Sequence, residues 1–182
     1  MVLIIVIAVL VLLLLYVIVT YNGLVKLRNR IQNAWAQIDV QLRRRYDLIP
    51  NLVETVKGYA KHEQGTFQAV TEARANAINA QGPADQARAE NMISGALKSL
   101  FAVSEAYPDL KSSQNFLALQ SQLEGTENRI AVARRDYVGA VQAYNTEVRT
   151  FPGLLWAKYW GSKPMETFTA APENQKAPQV KF

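Results

Sequence analysis

The 182-residue sequence has no cysteine, a single histidine and no clustered glycines. Without cysteine, the chain forms no disulfide and offers no thiolate ligand or nucleophile. His62 cannot start a zincin motif, because position 66, where the second histidine would stand, is a threonine. The nine glycines are scattered singly, so no glycine-rich phosphate loop is present. We therefore predict a protein that is not an enzyme, with no catalytic residue, metal, cofactor or small-molecule substrate.

Charge is mildly positive, with 20 basic and 15 acidic residues giving a net charge of +5. The basic residues form no long stripe, and neither zinc-finger spacing nor an aromatic RNA-binding pattern accompanies them. We therefore predict no nucleic-acid partner. Every lysine, arginine, aspartate and glutamate follows residue 25. A basic domain of this kind suits a position beside an anionic membrane leaflet.

An uninterrupted apolar run occupies residues 1–19. As a helix it would be roughly 28 Å long, close to the thickness of the hydrocarbon core of a bilayer. A signal peptide is the alternative, but no basic residue precedes the run and no Ala-x-Ala site follows it. We predict an uncleaved single-pass transmembrane anchor over residues 1–21.

The residues that follow the anchor predict its orientation. Lys26, Arg28 and Arg30 come directly after it, and no basic residue comes before it. Basic flanks remain in the cytoplasm. We expect a cell-membrane protein whose N-terminus lies outside and whose following domain lies in the cytoplasm.

Apolar residues recur with helical spacing along almost all of residues 22–151, and no long stretch alternates as a strand does. The first seam steps by four and three residues, as in a coiled coil, through Ile31, Trp35, Ile38, Leu42, Arg45, Ile49, Leu52, Val56 and Tyr59. The last runs through Phe116, Leu119, Leu123, Thr126, Ile130, Ala133, Tyr137, Val141, Tyr144, Val148 and Phe151. We predict an all-α protein, in which the N-terminal transmembrane helix precedes an antiparallel up-and-down four-helix bundle.

Pro50 interrupts the first seam. Proline lacks the amide hydrogen that a helix interior needs and disfavours the helical conformation of the residue before it. A kinked long helix and a turn between two helices are both compatible with the sequence. Four helices of comparable length require the turn, so we predict a reversal at Leu48–Asn51, with Leu52, Val56 and Tyr59 on the core face of the returning helix.

The three consecutive arginines point in directions about 100° apart on a helix. Arg43 lies four residues from both Asp39 and Asp47, and we predict that it pairs with both. Arg45 occupies a core position, where a charge needs a partner from another helix. The candidate partners are Glu124 and Glu127, which would form a register-fixing buried ion pair.

A recognition site for a partner chain or an anionic lipid headgroup is the alternative role of the arginine cluster. In that case Arg44 and His62 are the candidates for docking a membrane-protein partner, since neither has a predicted place in the core.

Residues 152–182 form an aromatic segment followed by a proline-containing extended tail. Tryptophan and tyrosine favour the headgroup level of a membrane, and lysine can extend toward it. The membrane-interface candidates are Trp156, Lys158, Tyr159 and Trp160. These aromatic residues would equally serve to cover the end of the bundle.

Several sequence segments together resemble the LemA family. They are "RNRIQNAWAQIDV", "VQLRRRYDLIPNLVETVKGYAKHE", "VTEARA" and "YPDLKSSQNFLALQSQLEGTENRIAVARRDY", followed by "YN" and "FPG". The resemblance covers nearly all of the chain after the anchor. It implies a bacterial membrane protein with one N-terminal transmembrane helix and a helical bundle. It also implies relatives that often neighbour a membrane zinc metalloprotease, and one branch that serves magnetosome membranes.

The leading functional hypothesis is a scaffold that self-assembles and either shapes a membrane or organises membrane partners. It includes membrane lipid as a partner. We predict a homo-oligomer because small residues, which allow close helix approach, are expected on the outer faces of the last helix. They are Ala131, Ala133, Gly139, Ala140 and Ala143. The alternative hypothesis is an adaptor or regulatory subunit of a membrane enzyme such as a zinc metalloprotease.

Overall fold

A computed structural model describes residues 1–168, apart from the side chain of Trp156. The described residues form six helices and no strand, which confirms the all-α class. The helices are α1 (Val2–Tyr59), α2 (Gln64–Ile78), α3 (Gly82–Glu105), α4 (Pro108–Lys111), α5 (Gln114–Arg149) and α6 (Gly153–Tyr159). Among them, α1 is the one helix long and apolar enough to cross a membrane, through its N-terminal part.

The chain divides into two compact units that share the two longest helices. The first unit contains Met1–Ile38 and Ala133–Thr167, and the second contains Asp39–Val132. The bundle predicted over residues 22–151 is thus distributed over both units.

In the first unit, the seams of α1 and α5 supply the core. The buried residues are Leu24, Ile31, Ala34 and Ile38 from α1, and Ala133, Tyr137, Ala140, Val141, Tyr144 and Val148 from α5. The rings of Trp35 and Tyr137 meet edge to face, with centroids 5.5 Å apart. The prediction that Ala133 and Ala140 are exposed is wrong, because both are buried: Ala133 lies in the α5 seam, and Ala140 directly precedes Val141 of that seam.

The end of α5 leads directly into α6. At Gly153 a side-chain carbon would collide with the backbone oxygen of Glu147, so only glycine fits where α6 begins. Ala157 is buried in the same unit, whereas Phe151 and Tyr159 are more than three-quarters exposed. The Phe-Pro-Gly sequence therefore ends the long helix and allows a short one to pack against its last turn.

In the second unit, five helical stretches contribute to the core: residues 39–59 of α1, α2, α3, α4 through Leu110, and residues 114–132 of α5. Their buried apolar residues include Leu42, Ile49, Leu52, Val56, Phe67, Val70, Ile93, Leu97, Leu100, Phe116, Leu123 and Ile130. The connections at residues 60–63 and 79–81 are short. Their up-and-down arrangement stays a prediction.

The predicted reversal at Pro50 is wrong, because α1 passes through Pro50 without a break. Pro50 is exposed, while Ile49 and Leu52 beside it are buried. The seam therefore continues through the proline, and burial on either side stabilises the helix more than the missing hydrogen bond weakens it. The chain turns instead at residues 60–63, where Ala60 is fully buried and Tyr59 is 46% exposed. The prediction that Tyr59 lies on the core face is therefore wrong.

A side chain from α2 replaces the hydrogen bond that Pro50 removes. In a regular helix, the amide of residue 50 would donate to the carbonyl oxygen of Tyr46. That oxygen instead accepts a hydrogen bond from Nε of Arg74, at 2.8 Å. The carbonyl is therefore satisfied although the proline has no hydrogen to give, which explains how the helix tolerates the residue.

Arg74→Ala should leave the Tyr46 carbonyl without this partner and lower the free energy of unfolding by about 1 kcal/mol. In a Pro50→Ala background the same change should cost less, since the alanine introduced there supplies the missing amide. A double-mutant cycle, measured by denaturant unfolding of the full chain in a mild detergent, checks this. Arg88→Ala, which removes an exposed arginine paired with Asp85, is the matched control. Equal costs in both backgrounds would contradict the replacement.

Candidate functional site

A cluster of hydrogen-bonded polar side chains lies inside the second unit, and we call it the buried polar cluster. Arg45 and Tyr46 of α1, Gln86 and Glu90 of α3, and Glu127 of α5 form it, with Ser94 at its edge. Arg45 is only 4% exposed and Glu90 only 2%. Two opposite full charges are thus removed from water in the middle of a helical core.

The guanidinium group of Arg45 bridges three helices. Its Nη1 lies 2.9 Å from Oε2 of Glu90 and 2.8 Å from Oε2 of Glu127. Its Nη2 donates to Oγ of Ser94 at 3.1 Å. The Glu90 carboxylate is buried, whereas the Glu127 side chain is 53% exposed. Glu90 therefore supplies the pairing that offsets desolvation, and Glu127 closes the cluster toward solvent.

The other oxygen of Glu90 is occupied as well. The Tyr46 hydroxyl donates a hydrogen bond to Oε1 of Glu90. Nε2 of Gln86 donates to the Tyr46 hydroxyl at 2.7 Å. Burial, together with the hydrogen bond and the charge of Glu90, raises the pKa of Tyr46 above its ordinary value. The phenol therefore keeps its proton and remains a donor.

Helical spacing explains why these side chains meet. Gln86, Glu90 and Ser94 follow one another at four-residue intervals, so they lie on one face of α3. Gln86, Glu90, Ile93 and Leu97 are also spaced by four, three and four residues, so the apolar seam of α3 extends toward the N-terminus through two polar residues. That continuation is the sequence signal that predicts a buried Glu90. The sequence prediction named Glu124 and Glu127 as partners of Arg45 and missed Glu90.

The predicted ion-pair residues are partly brought together. Arg45 lies beside Glu127, but its buried partner is Glu90, and Glu124 instead accepts a hydrogen bond from Gln120 at 3.1 Å. The structure also places Arg43 with Asp39.

Arg43 bonds Asp39 at 3.0 Å on the surface. Within residues 1–168 no ion pair joins it to Asp47. Arg44 is exposed on α1, and His62 is exposed in the connection before α2. The two docking candidates therefore face solvent.

The groups at the centre of the buried polar cluster bond one another. Both carboxylate oxygens of Glu90 accept hydrogen bonds, and the Tyr46 hydroxyl is engaged by both Glu90 and Gln86. Over the described part of the chain, no three histidine, aspartate or glutamate side chains lie close enough to hold a metal ion. What the arrangement does is fix α1, α3 and α5 in one relative register, since a shifted helix would leave a charge unpaired in the core.

A second candidate region lies in the first unit, where the apolar run of α1 ends. Tyr21 and Trp160 meet edge to face, with centroids 4.9 Å apart. Of the membrane-interface candidates, Lys158 and Tyr159 are exposed and Trp160 is partly exposed. The side chain of Trp156 lies outside the described residues. The aromatic segment is therefore adjacent to the end of the apolar run within this unit.

The segment after α6 is attached to α5 through its main chain, and we call this attachment the tail clamp. Nδ2 of Asn145 donates to the Met165 carbonyl at 2.9 Å, and the Met165 amide donates to Oδ1 of Asn145 at 2.8 Å. The Tyr137 hydroxyl donates to the Glu166 carbonyl at 3.2 Å. Residues 169–182 of the predicted tail lie outside the described residues. The tail clamp holds Trp160 and the residues after it near α5.

Comparison with known proteins gives one family and several relatives. The sequence model of the LemA family matches residues 34–182. Magnetosome protein MamQ 2 of Paramagnetospirillum magneticum is 28% identical over 178 residues, covering 84% of this chain and 65% of that protein. Protein LemA of Metamycoplasma hominis is 28% identical over 134 residues, covering 71% and 60% respectively. The chain thus spans less than two thirds of the length of these relatives.

Removing one charge from the buried polar cluster should be costly. Arg45→Met leaves the Glu90 carboxylate buried without its cation, and the free energy of unfolding should fall by about 3–5 kcal/mol. Adding Glu90→Leu removes the stranded charge and should restore much of that loss. Arg43→Met, which breaks the exposed pair with Asp39, is the matched control and should cost under about 1 kcal/mol. Denaturant unfolding in detergent checks all three; a single-charge variant as stable as wild type would contradict the cluster's role.

Alkaline pH should destabilise the fold through Tyr46. Above the ordinary phenol pKa of 10.0, the unfolded chain loses this proton while the folded chain, whose Tyr46 pKa is raised, retains it. Stability that is fully present below pH 10 is therefore lost as the pH rises further. Unfolding free energies measured from pH 8 to 11 should decline less steeply in Tyr46→Phe than in wild type. The exposed Tyr59→Phe serves as control, and identical slopes in all three proteins would refute the assignment.

Proposed function

The chain belongs to the LemA family, and we propose that it is a non-enzymatic scaffold that is anchored in a membrane by α1 and self-assembles. In this role it shapes the membrane or organises other membrane proteins. The observation that carries the proposal is the apolar part of α1. None of its membrane-length window is buried inside the protein. A contiguous exposed apolar surface of that size is unstable in water and suited to lipid.

The side chains that follow the apolar run support a single-pass orientation with the helical units in the cytoplasm. Lys26, Arg28 and Arg30 are all exposed in the two turns of α1 after Tyr21. Basic residues beside a span favour the cytoplasmic side of the membrane. The edge-to-face contact of Tyr21 with Trp160 supports a membrane-proximal position for the aromatic segment.

The buried polar cluster supports a scaffold over an enzyme. Its Arg45, Glu90 and Tyr46 side chains bond one another, and buried ion pairs of this kind contribute specificity of packing more than stability. A rigid, uniquely registered bundle is what a scaffold needs in order to present the same surface in every copy. One relative, Magnetosome protein MamQ 2, agrees in name with the magnetosome branch that the sequence resemblance implies.

Self-assembly has a candidate surface on α5 within the first unit. Gly139 and Ala143 are exposed and four residues apart, so they share a face on which another helix can approach closely. Their neighbours Ala133 and Ala140 already pack inside the chain. The outer, small-residue face of α5 is thus the surface that we assign to contact between copies.

The test is the mass of the purified full chain in several mild detergents, measured by light scattering during size-exclusion chromatography. We expect a multiple of the 20.3 kDa chain mass. Ala143→Lys should lower the mass because it places a charge on the assembly face. The matched control Gln142→Lys adds the same charge at the next exposed position, turned by about 100°, and should not.

A single-chain mass in every detergent would contradict self-assembly. That outcome would favour the adaptor hypothesis, in which the exposed Arg44 and His62 dock onto a membrane enzyme.

A further inference from the structure

A cavity of about 260 Å³ lies in the first unit, beside the point where the apolar run of α1 ends. Its apolar wall is formed by Tyr21, Leu24, Val25 and Trp160. Its polar groups come from Arg28, Tyr144 and Ser162. No carboxylate residue lines it, so its one charged lining residue, Arg28, is a cation.

The hydroxyl of Tyr144 is the unusual feature of this cavity. Tyr144 is 1% exposed, and its hydroxyl is buried without a hydrogen-bond partner in residues 1–168. A buried phenol normally finds a partner, because leaving it unpaired costs free energy. Tyr144 is one of the residues that line the cavity, and a small movement of its ring would bring this hydroxyl to a ligand bound there.

Arg28 gives the cavity its charge. It is exposed, and no ion pair or hydrogen bond engages it in the described part of the chain, whereas Arg43 and Arg45 both have carboxylate partners. A guanidinium group beside hydroxyl donors recognises phosphate well, because several charge-assisted hydrogen bonds form at once. The donor set therefore favours an anion with several acceptor oxygens.

The position of the cavity along α1 indicates which molecule carries that anion. Tyr21 and Arg28 follow the end of the apolar run at Val19 by roughly 3 Å and 14 Å along the helix axis. Helical side chains lean toward the helix N-terminus, which brings the Arg28 guanidinium back toward the lipid surface. The apolar wall of the cavity suits the glycerol and first acyl carbons of a lipid better than a fully hydrated ion.

We propose that this cavity binds the phosphate of an anionic phospholipid headgroup. Arg28 pairs with the phosphate charge, and the hydroxyl groups of Tyr144 and Ser162 donate hydrogen bonds to its oxygens. Trp160 and Tyr21 pack against the glycerol end. The proposal rests on the membrane anchoring proposed above, and it adds a specific lipid site to that role.

The experiment titrates the full chain, purified in a maltoside detergent, with dihexanoyl phosphatidylglycerol and follows its Tm and tryptophan fluorescence. Wild type should be stabilised by the lipid. Tyr144→Phe keeps the ring but removes the unpaired hydroxyl, so its Tm without lipid should equal or exceed that of wild type. Its lipid affinity, and that of Arg28→Gln, should be weaker by about tenfold. Arg30→Gln, which removes the same charge from an exposed site outside the cavity, is the matched control and should retain wild-type affinity.

Three results would overturn the proposal. The first is wild-type affinity in Tyr144→Phe and Arg28→Gln, and the second is an equal loss in Arg30→Gln, which would indicate diffuse charge attraction. The third is equally tight binding of glycerol phosphate or inorganic phosphate, which would make the ligand a soluble anion. Alkaline extraction of membranes tests anchoring separately. A chain that resists extraction but lacks cavity-dependent binding refutes this site alone, and a chain that is extracted refutes the anchor.

Discussion

The Arg45–Glu90 ion pair is the interaction on which the second unit depends. Each group stands in a heptad position that would otherwise hold an apolar side chain, and each is stable in the core only because the other is present. Apolar contacts alone tolerate sliding, since one leucine fits another in several registers. A buried charge with one correct partner does not tolerate such sliding. The pair therefore turns a generic helical core into a specific one.

The same principle explains two further features of the molecule. Pro50 creates a backbone acceptor without a donor, and Arg74 from another helix supplies that donor. Tyr144 is a buried donor for which the described chain supplies no acceptor. In the first case the protein completes its own hydrogen bonding, and the long helix can continue. In the second the donor stays unmatched, at a position where a membrane lipid is expected. Unmatched polar groups are thus informative because matched ones are the rule.

Helical periodicity predicted much of the fold. The steps of four and three residues placed Ile38, Leu42 and Arg45 on the buried face and gave the seam of α5 from Phe116 to Val148. The prediction at Pro50 failed because the residue that rescues the helix is 24 positions later in the sequence, and local preference carries no information about it. Glu90 was missed because Glu124 and Glu127 of the last helix were predicted as the partners of Arg45, and spacing along the chain does not show which helix faces that arginine. The turn at residues 60–63 places Ala60 in the core and leaves Tyr59 partly exposed, so the helical spacing no longer predicts burial at this point.

Asn145 and Met165, which the tail clamp joins, are constrained to different degrees. The Asn145 side chain engages only the amide and carbonyl groups of Met165, which every residue except proline offers. Position 165 can therefore change its side chain freely while the attachment persists. Position 145 is constrained, because a carboxylate lacks the donor and a longer amide misplaces both groups. Related chains can for this reason carry tails of different chemical character on an unchanged helix, so that the surface of the tail can diversify while the framework stays the same.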